Sequence, residues 1–76
     1  MGAGVVELYG AASCPFTAEV RAQLEYEGRH YVEYDTESDS AARARLVSLT
    51  GEALVPVLME SGRVIAVGWQ GRGCRV

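Results

Sequence analysis

The sequence predicts a small α/β domain, a four-stranded mixed sheet with two covering helices in the order βαβαββ. Three observations lead there. Short apolar runs alternate with stretches of helical period, the chain has only 76 residues, and 49% of them are hydrophobic against 22% charged. A chain of this length buries about 60% of its unfolded surface, so residues 1–76 form one domain around one core. The composition argues against disorder. A strand–helix–strand opening makes a right-handed crossover between parallel strands, and the closing strands share the same sheet.

Val5 to Tyr9 is a buried strand that stops at Gly10-Ala11-Ala12-Ser13. Pro15 suits the first helical position, where its missing N–H costs nothing. Phe16, Val20 and Leu24 then recur at helical spacing, with Arg21 and Glu25 on the solvated side, and Gly28 ends the helix. Tyr31 to Asp35 is rich in strand formers. Ser38 or Asp39 caps a second helix, with Ala42, Leu46 and Leu49 as its apolar stripe and Gly51 as its stop. Leu54 to Met59 and Val64 to Val67 read as two strands of a hairpin joined by Glu60-Ser61-Gly62-Arg63. The core is thus about 5–67, and residues 68–76 form a tail with three glycines and no clear period.

Charge and cysteine usage bound the function. Net charge is −3 and the calculated pI about 5.0, which argues against nucleic acid as a partner. The seven basic residues are all arginine, so no lysine is available for a Schiff base or beside a reactive thiol. No long apolar run suggests a membrane span or signal peptide, and a cytoplasmic monomer is expected. Two cysteines and one histidine fall short of a four-ligand zinc site, so no metal is expected. The acidic residues Glu33, Asp35, Glu37 and Asp39 lack the spacing of a calcium loop and read as a solvated edge and helix cap.

Cys14 stands where the first strand hands over to the first helix. A thiol of ordinary pKa, near 8.5, is only a few per cent ionised at neutral pH. Unsatisfied backbone N–H groups and the helix dipole favour the anion there. A fall of two pKa units requires about 2.7 kcal/mol, and a helix terminus supplies up to about 2. A second contribution is needed, and the Thr17 hydroxyl, one turn along, is the candidate. The competing reading of Cys14 is a small buried hydrophobe. Val55-Pro56 is the second signal, since proline removes a ladder donor; about one X–Pro bond in twenty is cis, so the residues alone read as trans.

Strand, Cys14-Pro15-Phe16-Thr17, helix, then Thr50-Gly51, Val55-Pro56-Val57 and a Gly62-centred hairpin resemble a glutaredoxin of the thioredoxin fold over roughly residues 5–67. The resemblance implies a thiol–disulfide oxidoreductase with Cys14 as nucleophile and no bound cofactor. Glutathione is the implied co-substrate, with glutathione or disulfide-bearing proteins as partners. It also implies a cis Val55–Pro56 bond facing Cys14, with Pro15, Phe16, Val55 and Pro56 contacting substrate. Val55 would pair its backbone with glutathione as an added strand. Phe16 takes the place of the usual tyrosine. Thr17 replaces the second cysteine of the motif, which excludes a dithiol cycle within it. Ala11 stands where a basic residue is usual, Val67-Gly68-Trp69-Gln70-Gly71 replaces the glycine pair that holds the glutathione amino end, and the C-terminal helix is missing. A tail ending Gly71-Arg72-Gly73-Cys74 is similar to a small bacterial group in which selenocysteine can occupy the position of Cys14.

Strand direction gives that tail a role. Val67 ends at the active-site edge, and the seven residues from there to Cys74 reach at most about 25 Å. Two strand spacings are only about 10 Å, so Cys74 is within range of Cys14 to resolve a mixed disulfide. Glutathione as the resolving thiol, or a disordered tail with an idle Cys74, are the competing readings. Trp69 is expected to cover the sheet edge left bare by the absent helix, and Arg72 is a solvated charge or a carboxylate contact. His30 reads as a surface residue. Two other functions compete: a non-catalytic thioredoxin-fold binding module, and an iron–sulfur carrier built from two chains with glutathione.

Overall fold

Proline at the first helical position and glycine just past the last set the first crossover. The computed structural model describes residues 5–76. Strand β1 (Val6–Gly10) leads to helix α1 (Pro15–Tyr26), and β2 (Tyr31–Asp35) follows after a turn with Gly28 at φ 68°. Helix α2 (Ser40–Thr50) begins where the Asp39 carboxylate accepts the amide hydrogens of Ala41 and Ala42 at 3.0 and 3.2 Å. Gly51, at φ 82°, ends it with an N–H bond to the Val47 carbonyl. Both stops use the left-handed backbone that glycine adopts without a Cβ penalty.

The remaining elements are β3 (Leu54–Val55), β4 (Val57–Glu60), β5 (Arg63–Val67) and β6 (Cys74–Arg75). The main sheet has the order β2-β1-β4-β5, with β1 parallel to β2 and the other pairs antiparallel. The four-stranded mixed sheet and two helices are those read from the sequence. Alternation along the strands divides the core between the helices. Val6 and Leu8 pack with Val20 and Leu24 of α1, while Tyr9, Val57 and Met59 pack with Ala42 and Leu46 of α2.

Several expectations need correction. Leu54 to Met59 is not one strand: the Val55–Pro56 bond is cis, as the family resemblance implies and against the trans reading of the residues alone, and the chain breaks there into β3 and β4, which belong to different sheets. Leu49 is 44% exposed, so the buried stripe of α2 stops at Leu46. Glu33 is paired, with both carboxylate oxygens on the Arg21 guanidinium at 2.7 and 2.6 Å. That bond raises the Arg21 pKa further, and it ties α1 to β2. The tail has an ordered path in place of a patternless one. Gln70 and Gly71, both at positive φ, form the centre of a tight turn closed by Trp69 and Arg72, the pattern of a type I′ hairpin. The turn returns the chain so that β6 lies antiparallel on β3, with Val55 opposite Cys74.

Candidate active site at the start of the first helix

Cys14 is the N-cap residue of α1, in extended backbone, and Pro15 follows as the first helical residue. The approach to it is fixed at several points. The end of β1 is pinned by Thr36, whose N–H and hydroxyl both donate to the Gly10 carbonyl at 2.8 and 2.9 Å. Cys14 N–H donates to the Ala11 carbonyl at 3.1 Å, and Thr17 N–H to the Cys14 carbonyl at 3.1 Å. The Ser13 backbone N–H and hydroxyl both donate to the Glu37 carboxylate. The first turn of α1 carries no acidic side chain; the carboxylate at this end of the helix is that of Glu37, bound to Ser13.

The sulfurs of Cys14 and Cys74 are joined in a disulfide, with the Cα atoms 6.0 Å apart and a sequence separation of 60. The tail expected to reach Cys14 does reach it. In this closed form Cys14 is 2% exposed and Cys74 is half-buried. Part of what covers Cys14 is the tail that carries its bonding partner, since Cys74 and Val76 pack against the cluster that holds Cys14. Val55 lies in the same apolar cluster, and Phe16, Cys74 and Val76 pack against that cluster. Pro56 is buried, with its carbonyl accepting Gly68 N–H at 2.7 Å. Pro15 is exposed.

Thr17 is fully buried, and its hydroxyl oxygen accepts the Ala11 N–H at 3.2 Å. In the closed form it anchors the loop entering the helix. Arg72 places its guanidinium carbon 6.0 Å from the Phe16 ring centre, a cation over an aromatic face. Trp69 donates its indole N–H to Glu19 at 2.8 Å and lines a cleft of about 150 Å³ with Val20, Leu24, Leu58 and Ile65. At the far end, Val76 N–H donates to the Ala53 carbonyl at 2.9 Å and its own carbonyl accepts from Arg43 at 3.0 Å. The tail is therefore tied to α1, to β3 and to α2. His30 is exposed in the α1–β2 connection.

Sequence reading missed three residues here. Glu37 holds Ser13, Glu19 receives Trp69, and Gly73 lies against the backbone of β3. The first two are contacts between distant segments with no local signal. Gly73 carried a weak one, as a small residue beside a cysteine. Among the described residues, no group of three or more His, Cys, Asp or Glu is gathered as for a metal ion.

A profile of the glutaredoxin family matches residues 6–65. Among solved structures, the chain is similar to a glutaredoxin from Archaeoglobus fulgidus at 19% identity and TM-score 0.78, over 88% of this chain and 77% of that one. It is similar to a thioredoxin-like protein at 31% identity and TM-score 0.74, over 80% of this chain and 84% of that one. A buckwheat glutaredoxin solved as its glutathione complex aligns at 20% identity and TM-score 0.72, over 86% of this chain and 61% of that one. Nothing among curated proteins matches.

Proposed function

The chain belongs to the glutaredoxin family, and on that premise we propose that it is a thiol–disulfide oxidoreductase in which Cys14 attacks and Cys74 resolves. One observation carries this reading: the cysteine that opens α1 is bonded to the cysteine of the tail. In the reduced protein the tail thiol is free to leave, and the Cys14 thiolate attacks a substrate disulfide. A bond forms between the Cys14 sulfur and one substrate sulfur, and the other departs as a thiolate that takes a proton from water. The Cys74 thiol then loses its proton and attacks the Cys14 sulfur, forming the disulfide seen here and releasing the second substrate thiolate. Substrate gains two electrons, and the protein loses two. Two equivalents of a small thiol such as glutathione, or one dithiol, reopen the protein disulfide.

Helix N-terminal N–H groups stabilise the Cys14 anion in this scheme, and the Thr17 hydroxyl supplies the second contribution once the sulfur is free. Glutathione as co-substrate is supported by the family and by the glutathione complex of the buckwheat neighbour. We also hold that Cys14 is the sulfur form of a position that takes selenocysteine in similar proteins. Replacing its sulfur by selenium would then raise the exchange rate at acidic pH.

The test is alkylation of Cys14 across pH in the reduced protein, beside turnover of a model disulfide by the wild type, Cys14→Ser and Cys74→Ser. The reading expects an apparent thiol pKa below about 7, no turnover in Cys14→Ser, and loss of dithiol-driven turnover in Cys74→Ser. A Cys14 thiol titrating near 9 in the reduced protein sinks catalysis and leaves a binding module. Unchanged turnover of Cys74→Ser with both dithiol and glutathione sinks the resolving role.

A further inference from the structure

Strand β3 is paired with β6 in a sheet of their own, Val55 opposite Cys74 and Leu54 opposite Arg75. The Cys74 sulfur is bonded to Cys14. Any chain that forms a mixed disulfide with Cys14 must put its own sulfur at that same bond, so its cysteine falls on the ground that Cys74 holds. Substrate and tail cannot both sit there. When β6 leaves, the backbone of the fully buried Val55 loses its strand partner. Buried backbone groups left without a partner are costly. An extended segment of the incoming chain restores the pairing.

From this geometry we infer that the tail is a tethered replica of the substrate, and that it discloses a filter on the unit preceding the substrate cysteine. Gly73 occupies that place. A Cβ built on it would lie 2.8 Å from the Val55 carbonyl oxygen and 3.3 Å from the Leu54 side chain. Real Cβ atoms do not approach a backbone oxygen so closely, and the oxygen belongs to the residue leading into the buried Pro56. The backbone of Gly73 is not at positive φ, so what excludes a larger residue is space. On the other side of Cys74, Arg75 extends outward with its side chain 73% exposed and its guanidinium on Glu52 at 3.3 Å, so space does not limit the following residue.

The substrate class is therefore a disulfide whose cysteine follows an unbranched unit. Glycine is one such unit. The γ-linked glutamyl group of glutathione, the co-substrate already proposed above, meets the same limit, because the carbon next to its amide carbonyl is a methylene within the chain and carries no branch. The replica also sets the order of release. Cys74 regains its place on Val55 only as the substrate strand gives it up, so bond formation between Cys74 and Cys14 expels the product chain. The inference rests on the oxidoreductase reading and adds to it which disulfides are accepted.

Two measurements test it. The Cys74→Ser protein, which cannot close, is mixed with capped peptides Gly-Cys-Arg, Ala-Cys-Arg and Val-Cys-Arg and with γ-glutamylcysteine, each disulfide-bonded to the same chromogenic thiol. Release of that thiol is expected to be at least tenfold faster from the glycine and γ-glutamyl compounds than from the alanine and valine peptides. Equal rates overturn this proposal alone; no reaction with any of the four overturns it together with the oxidoreductase reading. Independently, Gly73→Ala in the full chain should lower the equilibrium constant for closing the Cys14–Cys74 disulfide at least tenfold, measured in a dithiol redox buffer, with the unfolding midpoint of the reduced form unchanged. Closure as favourable as in the wild type overturns the steric filter.

Discussion

Gly10 and Thr17 are packed so closely that a Cβ on the glycine would lie 2.9 Å from the Thr17 hydroxyl oxygen and closer still to its methyl group. The last residue of β1 and the first turn of α1 thus meet without room for a side chain, and this contact sets where Cys14 emerges. Gly10→Ala is expected to cost about 1–3 kcal/mol, the range for overpacking in a filled interior. In a Thr17→Ser background, which lacks the methyl, the same change should cost less. Urea denaturation of the four proteins of this cycle measures the difference, and a cost that stays constant across the two backgrounds counts against the contact.

Closing a loop across 60 residues of sequence separation restricts the unfolded chain. The chain-entropy relation gives about 4 kcal/mol for such a loop. Oxidised wild type should be more stable than reduced wild type by up to about that amount, and Cys74→Ser should match the reduced form. Urea unfolding with and without reductant checks both statements. Identical midpoints for the oxidised and reduced proteins would mean that the disulfide does not form.

Much of this architecture was legible because its signals are local. Pro15 starts α1, Gly28 and Gly51 stop the helices, and Ser61-Gly62 turns the hairpin, with both residues at positive φ. The meeting of Cys14 and Cys74 was legible too, since strand direction and chain reach are fixed by topology. The cis bond at Pro56 was legible only through the family resemblance, and the division into two sheets there was not legible. Leu54 to Met59 is a continuous run of strand formers apart from that proline, and nothing in their composition says that Val55 pairs with the tail while Val57 pairs with β1 and β5. Leu49 misled for a related reason: its helical period is correct, but the buried side chains of α2 end at Leu46. Side-chain pairs such as Arg21 with Glu33, or Trp69 with Glu19, join distant segments and leave no mark on local pattern.

Tyr31 gives a pH-dependent prediction. Its hydroxyl donates to Glu25 at 2.7 Å, and this hydrogen bond, followed by desolvation and the Glu25 charge, raises its pKa above the ordinary value. A group whose folded pKa is raised contributes stability below its unfolded pKa, near 10, and loses it as pH rises through the folded value. Wild type should therefore lose stability as pH rises above about 10 more steeply than Tyr31→Phe. Parallel stability curves for the two proteins over that range would show that the bond is not made in solution.

Trp69 supplies the last test, because it links the path of the tail to the chemistry of Cys14. Its ring lines the cleft beside α1 and its N–H is held by Glu19, so the type I′ turn at Gln70-Gly71 starts from a fixed point. A tethered thiol attacks in proportion to its effective concentration, which depends on how narrowly the tether is aimed. Trp69→Ala removes both the packing and the hydrogen bond and should lower the effective concentration of Cys74 at Cys14 by roughly tenfold, about 1.4 kcal/mol. Closure in a dithiol redox buffer reads this directly. Alkylation of Cys14 in a Trp69→Ala, Cys74→Ser protein serves as the control, and its rate should equal that of Cys74→Ser alone, since Trp69 acts on the tail and not on the helix N-terminus. A fall in closure accompanied by an equal fall in alkylation would assign Trp69 to the reactivity of the sulfur instead.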